Sequence, residues 1–583
     1  MKINDKWLNM DIKVPLPFEI CLHDEVMKEP IDYLEGIPKS FLISTAILFL
    51  SYESVNSKYD SLNGFLNGFF CIANKPFVRR ILSNIIEYEK NKVDRKLEIK
   101  KYVVHQKLAD LELLKIVFNC SKENGHVSKS NIKEIEIRIF KAYVAINQKL
   151  GEKSKHIKPP EIIKKPADMA EFFFLLNLNS FDLNNYRLLK IIITQYYKGC
   201  LFLKFLKNCN ETKKLIEKFN HFYKVDSIER YISYLSIIHL KLIENGQITH
   251  VDIPDYKIFD FYQKHSLSNI SEINLIDYND IRSKPFVTRL EKDKNRVTVI
   301  DSLLTAEMFY NGLYFRLKKI NDNLSKDKVD LMRLKTQEFS EKLLFKETIS
   351  LIFGKRYIQF SCEQIDDSMD GGIDYYVRNG NKVFLFESKD IFLSSESKVS
   401  FDIEKVIEEI KTKLYYDESK NKNKAILQLS NFIEKIINFQ LPFDKNYKVN
   451  SLKIYPIIVV HSRVFNVPGL NVILQDLFKK AIGEKFKNFK GKINELVLID
   501  IDTLIFKREF FESKKINFEN LLNEYSKQII VPAFQVHKII SRKKAEKSIT
   551  SFSHFFENKI HSLNKKQLTE FIATVAKDVL PEN

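Results

Sequence analysis

Glycine and proline are scarce in this chain, with 15 of each among 583 residues, while Lys, Asn and Ile abound, a composition that suits AT-rich coding sequence. Cysteine is also sparse. The six (Cys21, Cys71, Cys120, Cys200, Cys209 and Cys362) are scattered and form no C-x-x-C pair. That excludes a thiolate-rich structural zinc site and a disulfide framework, and it fits a reducing, cytoplasmic setting. No signal-peptide core follows Met1. The apolar run Phe41 to Leu50 is interrupted by Ser44 and Thr45 and falls far below the roughly 20 residues of a membrane span. We therefore expect a soluble protein with no membrane partner. No G-x-x-x-x-G-K-[ST], H-E-x-x-H, G-x-S-x-G or G-x-G-x-x-G occurs, which removes the common nucleotide-binding, metalloprotease, esterase and dinucleotide classes.

What is present is bulk and positive charge. Hydrophobic residues make up 44%, enough for a globular chain of two or three domains. The 93 basic against 75 acidic residues leave a net charge of +18, which suits a polyanionic partner such as nucleic acid. From about 97 to 245 the spacing is helical. Leu97 to Asn119 reads as one helix. Asn131 to Leu150 reads as another that stops at Gly151. A capping box at Asp226–Glu229 opens a further helix. Phe286 to Leu290 and Arg296 to Ile300 alternate as a hairpin, and a helix from Ser302 to Ile320 follows. The polar stretch Asn321 to Asp327 reads as a linker. We expect a mainly α-helical N-terminal region over 1–325, an α/β domain over 326–515 with a mixed central sheet flanked by helices, and C-terminal helices over 516–583.

The stretch Ile373 to Lys389 organises the second domain. Two β-rich runs flank Asn379-Gly380, the dipeptide preferred in type I′ hairpin turns. With those two as loop residues, Arg378 faces Asn381 and Asp374 faces Leu385. Leu385, Glu387 and Lys389 then share a face with Asp374. Glu387 becomes its diagonal neighbour, at a Cβ separation of roughly 7 Å. Two carboxylates so placed can converge on one hard divalent cation, with an ammonium on the same edge. The tripeptide Glu-Ser-Lys occurs four times, at 387–389, 396–398, 418–420 and 512–514. Only the first follows an apolar run (Val383 to Phe386) and has an Asp thirteen positions upstream.

Asp374 followed by Glu387-Ser388-Lys389 resembles the core of the PD-(D/E)XK nuclease superfamily, the restriction-endonuclease-like fold. The resemblance covers roughly 335–510. It implies that Asp374 and Glu387 hold Mg2+, or Mn2+ in its place, and that Lys389 handles the attacking water. The residue before the Asp is Ile373 rather than Pro. A helix before the hairpin often supplies a further acid in this superfamily. Val329 to Phe353 reads as that helix, and Glu341 shares a stripe with Leu344, Phe345, Thr348 and Ile352. Glu338 lies on the same stripe. Glu363, in the strand-like run from Tyr357, is the rival. Several branches place a Gln on the helix after the E-x-K, and Gln428, on the helix from Lys424 to about Phe439, matches, as would an ordinary surface Gln. Phe401 to Tyr416 reads as a charged helix. Lys453 to His461 and Leu496 to Ile501 read as strands buried on both faces. His461 ends the first and is either a site group or a structural histidine.

The resemblance implies a Mg2+-dependent nuclease with DNA as its expected substrate, and dimers are common among relatives. A homodimer or a partner protein held through the N-terminal region are both open. A large helical region joined to such a domain is similar to stand-alone antiphage defence effectors. The alternative is a non-catalytic nucleic-acid-binding or assembly protein that retains the fold. Two basic stretches could contact phosphate: Lys479 to Lys490, where Lys and Phe interleave, and Arg542-Lys543-Lys544. Either reads equally as a solvated helix face.

Overall fold

A mixed six-stranded sheet carries the residues singled out above. Its strands are β1 (Ile358–Ser361), β2 (Tyr375–Asn379), β3 (Lys382–Lys389), β4 (Lys453–Val460), β5 (Lys492–Ile493) and β6 (Val497–Asp500). The order is β5-β4-β3-β2-β1, and β6 also pairs with β4. The β1–β2 and β2–β3 pairs are antiparallel, whereas β3–β4, β4–β5 and β4–β6 are parallel. The computed structural model describes residues 14–55, 61–91, 102–119, 131–155, 157, 166–184, 187–245, 250–267, 278–291, 294–369, 371–513, 516–529 and 547–559. The Arg542–Lys544 cluster lies outside them.

The apolar runs explain the centre of the sheet. Val383 to Phe386 in β3 and Ile454 to Val460 in β4 are buried throughout, as strands covered on both faces must be. Pro456 has no N–H to give a ladder. It sits where the neighbour of β4 changes, since β5 pairs Lys453 and Ile454 and β6 begins at Ile457. One face packs on the helix Ala425–Ile437, with Phe432 against Tyr376. The other face takes Phe345 against Tyr375 and Phe386, and Phe353 against Phe384. Phe518, from the C-terminal helix Phe518–Ile529, packs there too.

The helix before the sheet is α-helical over Leu331–Arg333 and Lys346–Phe353, but Leu334–Phe345 between them is a π-helix. Its buried residues come as doublets five apart: Leu334-Lys335, Phe339-Ser340, Leu344-Phe345. That matches i→i+5 winding. The single α-helix expected over Val329 to Phe353 is corrected to this extent. Gly354, at φ +64°, ends it.

By contacts the chain divides into two units, each discontinuous in sequence. One comprises Met1–His156, Leu183–Ile192 and Asn220–Leu313; the other comprises Ile157–Asp182, Ile193–Phe219 and Tyr314–Asn583. The sheet above belongs to the second. The first is mostly helical around a core that includes Phe49, Phe65 and Tyr143. It also carries a three-stranded antiparallel sheet of His250–Asp252, Phe286–Glu291 and Lys294–Val299. Among the described residues no helix is long and apolar enough to cross a membrane.

Several local expectations change. Tyr102–Val103 is a short strand paired in parallel with Val14–Pro15, so the helix expected from Leu97 begins at Lys107. The β-prone Tyr102-Val103-Val104 run accounts for this. Helix Ile132–Lys153 runs through Gly151 instead of stopping there. The helix expected over Ser302 to Ile320 is two, Ser302–Glu307 and Asn311–Asp322, the second running into the expected linker. The expected charged helix forms as Ile403–Leu414; Phe401, at φ +54°, stays outside it and Asp402 caps it. Glu363 lies in the short helix Cys362–Asp366, capped by Ser361, rather than in a strand.

Candidate active site

The hairpin forms, but its register differs from the one the turn dipeptide suggested. Asn379 pairs with Lys382, so Gly380 and Asn381 are the loop residues. Gly380 has φ +59° and Asn381 is not left-handed, the φ pattern of a type II′ turn. This register sets Val377, Tyr376 and Tyr375 against Phe384, Leu385 and Phe386. The expected one would have set Val377 against Lys382. A buried Arg378 anchors the turn by bonding Asp444, at 2.7 Å for one of its two contacts, and the Gly380 carbonyl at 3.0 Å. Packing of the apolar pairs therefore outweighs the local turn preference. The slip is two residues, and a slip of two preserves faces where a slip of one would reverse them. Asp374, just before β2, now lies directly opposite Glu387 instead of diagonal to it.

The three residues meet at the end of β3. The Ser388 N–H donates to Asp374 Oδ2 at 2.6 Å. Lys389 Nζ donates to Glu387 Oε2 at 2.6 Å and lies 3.4 Å from Asp374 Oδ2. Glu387 is fully buried and its Oε1 has no hydrogen-bond partner. Two glycines deliver Asp374 to this position. Gly371 has φ +65°, and a Cβ on Gly372 would stand 2.6 Å from Ile365 Cγ2.

Glu341 joins them from the π-helix. Burial and the nearby Asp374 push its carboxyl up to about 7, against the pull of Lys389, and it accepts a hydrogen bond from the Cys362 thiol. Burial and Asp374 hold Glu387 well above the usual carboxylate range, an effect that Lys389 only partly offsets. Burial works against the Lys389 charge, yet Asp374, Glu387 and Glu341 outweigh it and keep the ammonium above its ordinary range. The site thus holds more acid than one lysine balances.

The other candidates fall elsewhere. Glu363 pairs with Lys346 at 2.6 Å and accepts from Ser361, which holds its carboxyl low. Glu338 pairs with Arg333 and Lys342. Gln428 is half-buried on the helix that covers the Glu387–Lys389 face, and among the described residues no hydrogen bond joins its side chain to the trio. His461 bonds Ser388 Oγ at 2.8 Å, on the face opposite Glu387; burial lowers its imidazole to about 4. The Lys479–Lys490 stretch is largely neutralised. Lys479, Lys480, Lys485 and Lys487 pair with Glu495, Asp476, Glu434 and Glu484.

Sequence reading missed a second buried cluster directly behind the trio. Asp390 receives Lys335 Nζ and, at 2.6 Å, Ser340 Oγ. The five-residue spacing of Leu334-Lys335, Phe339-Ser340 and Leu344-Phe345 was the signal available.

The donor set fits a hard cation. Carboxylate oxygens are what Mg2+ takes, and a buried, unpartnered oxygen among excess acids lacks a positive partner. Among the described residues no three His, Cys, Asp or Glu side chains already stand together in ligand geometry, so the fit rests on that chemistry. No family model, no curated protein and no solved structure matches this chain.

Proposed function

We propose that this chain is a Mg2+-dependent phosphodiesterase that cuts nucleic acid, with DNA as the substrate class to test first. The observation that carries the proposal is the meeting of Asp374, Glu387 and Lys389 at one strand end, with Glu341 beside them. The site lies at the carboxyl ends of the parallel strands β3 and β4, where ligands of open α/β sheets bind.

Asp374 and Glu387 would hold the cation, which supplies charge neutralisation at the phosphate and makes a nearby water more acidic. The chain's own residues do the rest. The Ser388 N–H fixes the Asp374 carboxylate through Oδ2. Lys389, held as an ammonium by Asp374, Glu387 and Glu341, adds positive charge where the phosphate charge builds up. Glu341, near 7, can exchange a proton with water at neutral pH. The net charge of +18 favours approach of a polyanion.

The test is plasmid cleavage by wild type, Lys389→Ala and Asp374→Ala with Mg2+, Mn2+ or EDTA. Cleavage by wild type alone, and only with metal, is expected. Equal cleavage by all three proteins would refute the site. Metal-independent DNA binding without cleavage, unaffected by Lys389→Ala, would favour a non-catalytic nucleic-acid-binding protein.

A further inference from the structure

The π-helical stretch invites a reason. Twelve residues of i→i+5 winding are uncommon, and such windings cluster at functional sites. Here the winding has a visible fastening. Lys335 and Ser340, five apart, both reach Oδ2 of Asp390, the residue that follows Lys389. In an α-helix, residues five apart are separated by about 140° around the axis; in a π-helix they fall on nearly one face. The Lys346 N–H donates to the Glu341 carbonyl, so the wide winding runs through Glu341 itself.

The fastening is buried. The Lys335 and Asp390 side chains are 1% and 3% exposed. Lys335 also lies over the rings of Tyr314 and Phe392, at 5.1 and 4.8 Å. A buried ion pair is a poor source of net stability compared with apolar residues of similar volume. Its placement is more informative: Ser388 and Asp390 project to the face opposite Glu387 and Lys389, so the strand end carrying the site on one face grips the helix with the other. Glu341 adjoins the gripped Ser340.

We propose that Asp390 is a positioning residue. By binding Lys335 and Ser340 it holds Leu334–Phe345 in the π winding, and that winding places Glu341 beside Asp374 and Lys389. Relaxation of this stretch to an α-helix would turn Glu341 relative to the sheet and take it from the site. The kinetic part of the test rests on the phosphodiesterase reading; the geometric part does not.

The geometric test uses Cys362, whose thiol donates to Glu341. In a Glu341→Cys variant, whose thiol ends two bonds short of the Glu341 oxygens, a short bis-methanethiosulfonate crosslinker should trap the new thiol to Cys362 at a measurable rate, read by peptide mapping. Adding Asp390→Ala should slow that trapping at least tenfold. Asp390→Ala takes a carboxylate away from the buried Lys335 ammonium, so the double change Lys335→Met with Asp390→Leu, which removes both charges, serves as the second variant and should slow trapping equally. An unchanged trapping rate in the folded double variant would overturn the proposal, whether or not the protein cuts nucleic acid. The kinetic test is a double-mutant cycle. Asp390→Ala should lower kcat at least tenfold with little change in KM, and should have no further effect once Glu341 is Ala. Additive losses would overturn the link to Glu341.

Discussion

Replacing Lys389 by Met keeps the stem and removes the ammonium that Glu387 and Asp374 share. Glu387 is fully buried, and among the described residues its Oε1 has no hydrogen-bond partner and Lys389, at 2.6 Å, is the cation that pairs with it. Removing one member of such a pair costs about 3–5 kcal/mol when the other must stay charged. Glu387 has an escape, because burial and Asp374 already hold its carboxyl well above the ordinary range. A carboxyl raised in the folded state contributes stability below its unfolded value and loses it as pH rises through the folded value. The deficit of Lys389→Met should therefore grow as pH rises. At about 1.5 °C per kcal/mol for a unit of this size, the full deficit is roughly 4–8 °C in the transition of the sheet-bearing unit. Scanning calorimetry at pH 5, 6.5 and 8 measures it and separates the transitions of the two units. Millimolar Mg2+ should raise the midpoint of Lys389→Met more than that of wild type, because the cation replaces the missing charge. A deficit that does not grow with pH would refute the reading of Glu387 as a buried carboxyl dependent on Lys389.

Three further outcomes follow from the geometry. Glu341 titrates near 7 and must be ionised to assist a cation, so Mg2+ affinity by titration calorimetry should fall about tenfold from pH 8 to pH 6, and Glu341→Gln should weaken that dependence. Gly372→Ala drives a Cβ into Ile365 and Asp366 and should displace Asp374. Metal-dependent cleavage should drop far more than the roughly 1–3 kcal/mol of stability lost, as cleavage and urea unfolding in parallel would show. Arg378→Met leaves Asp444 buried with only the Tyr376 hydroxyl and the Asn446 N–H, and should cost about 3–5 kcal/mol in urea unfolding at pH 7.

Much of the sheet-bearing unit was legible because its signals are local. The apolar runs Val383–Phe386 and Ile457–Val460 announce buried strands, and alternation along β3 puts Glu387 and Lys389 on one face wherever the partner strand begins. Face parity survives a two-residue slip, so Asp374 remained on the correct side although the turn was misplaced by one residue. The stripe that singled out Glu341 also lies on a real helix. The register itself belonged to tertiary structure. Asn379-Gly380 is the better isolated turn, but the pairing of Tyr375 with Phe386 and the burial of Arg378 on Asp444 lie 11 and 66 residues apart, and together they set Gly380-Asn381 as the loop. The choice between Glu341 and Glu363 was likewise non-local: Lys346 claims Glu363, while the acids of the hairpin surround Glu341. The π winding is read from a five-residue period only once it is known that Lys335 and Ser340 share Asp390. Residue order alone sets which side chains share a face of a strand, through a period of two that the backbone imposes. Which acids and cations meet across strands and helices was decided by the packing that closes the unit, because burial charges every mispaired group several kcal/mol and leaves few arrangements in which each finds a partner.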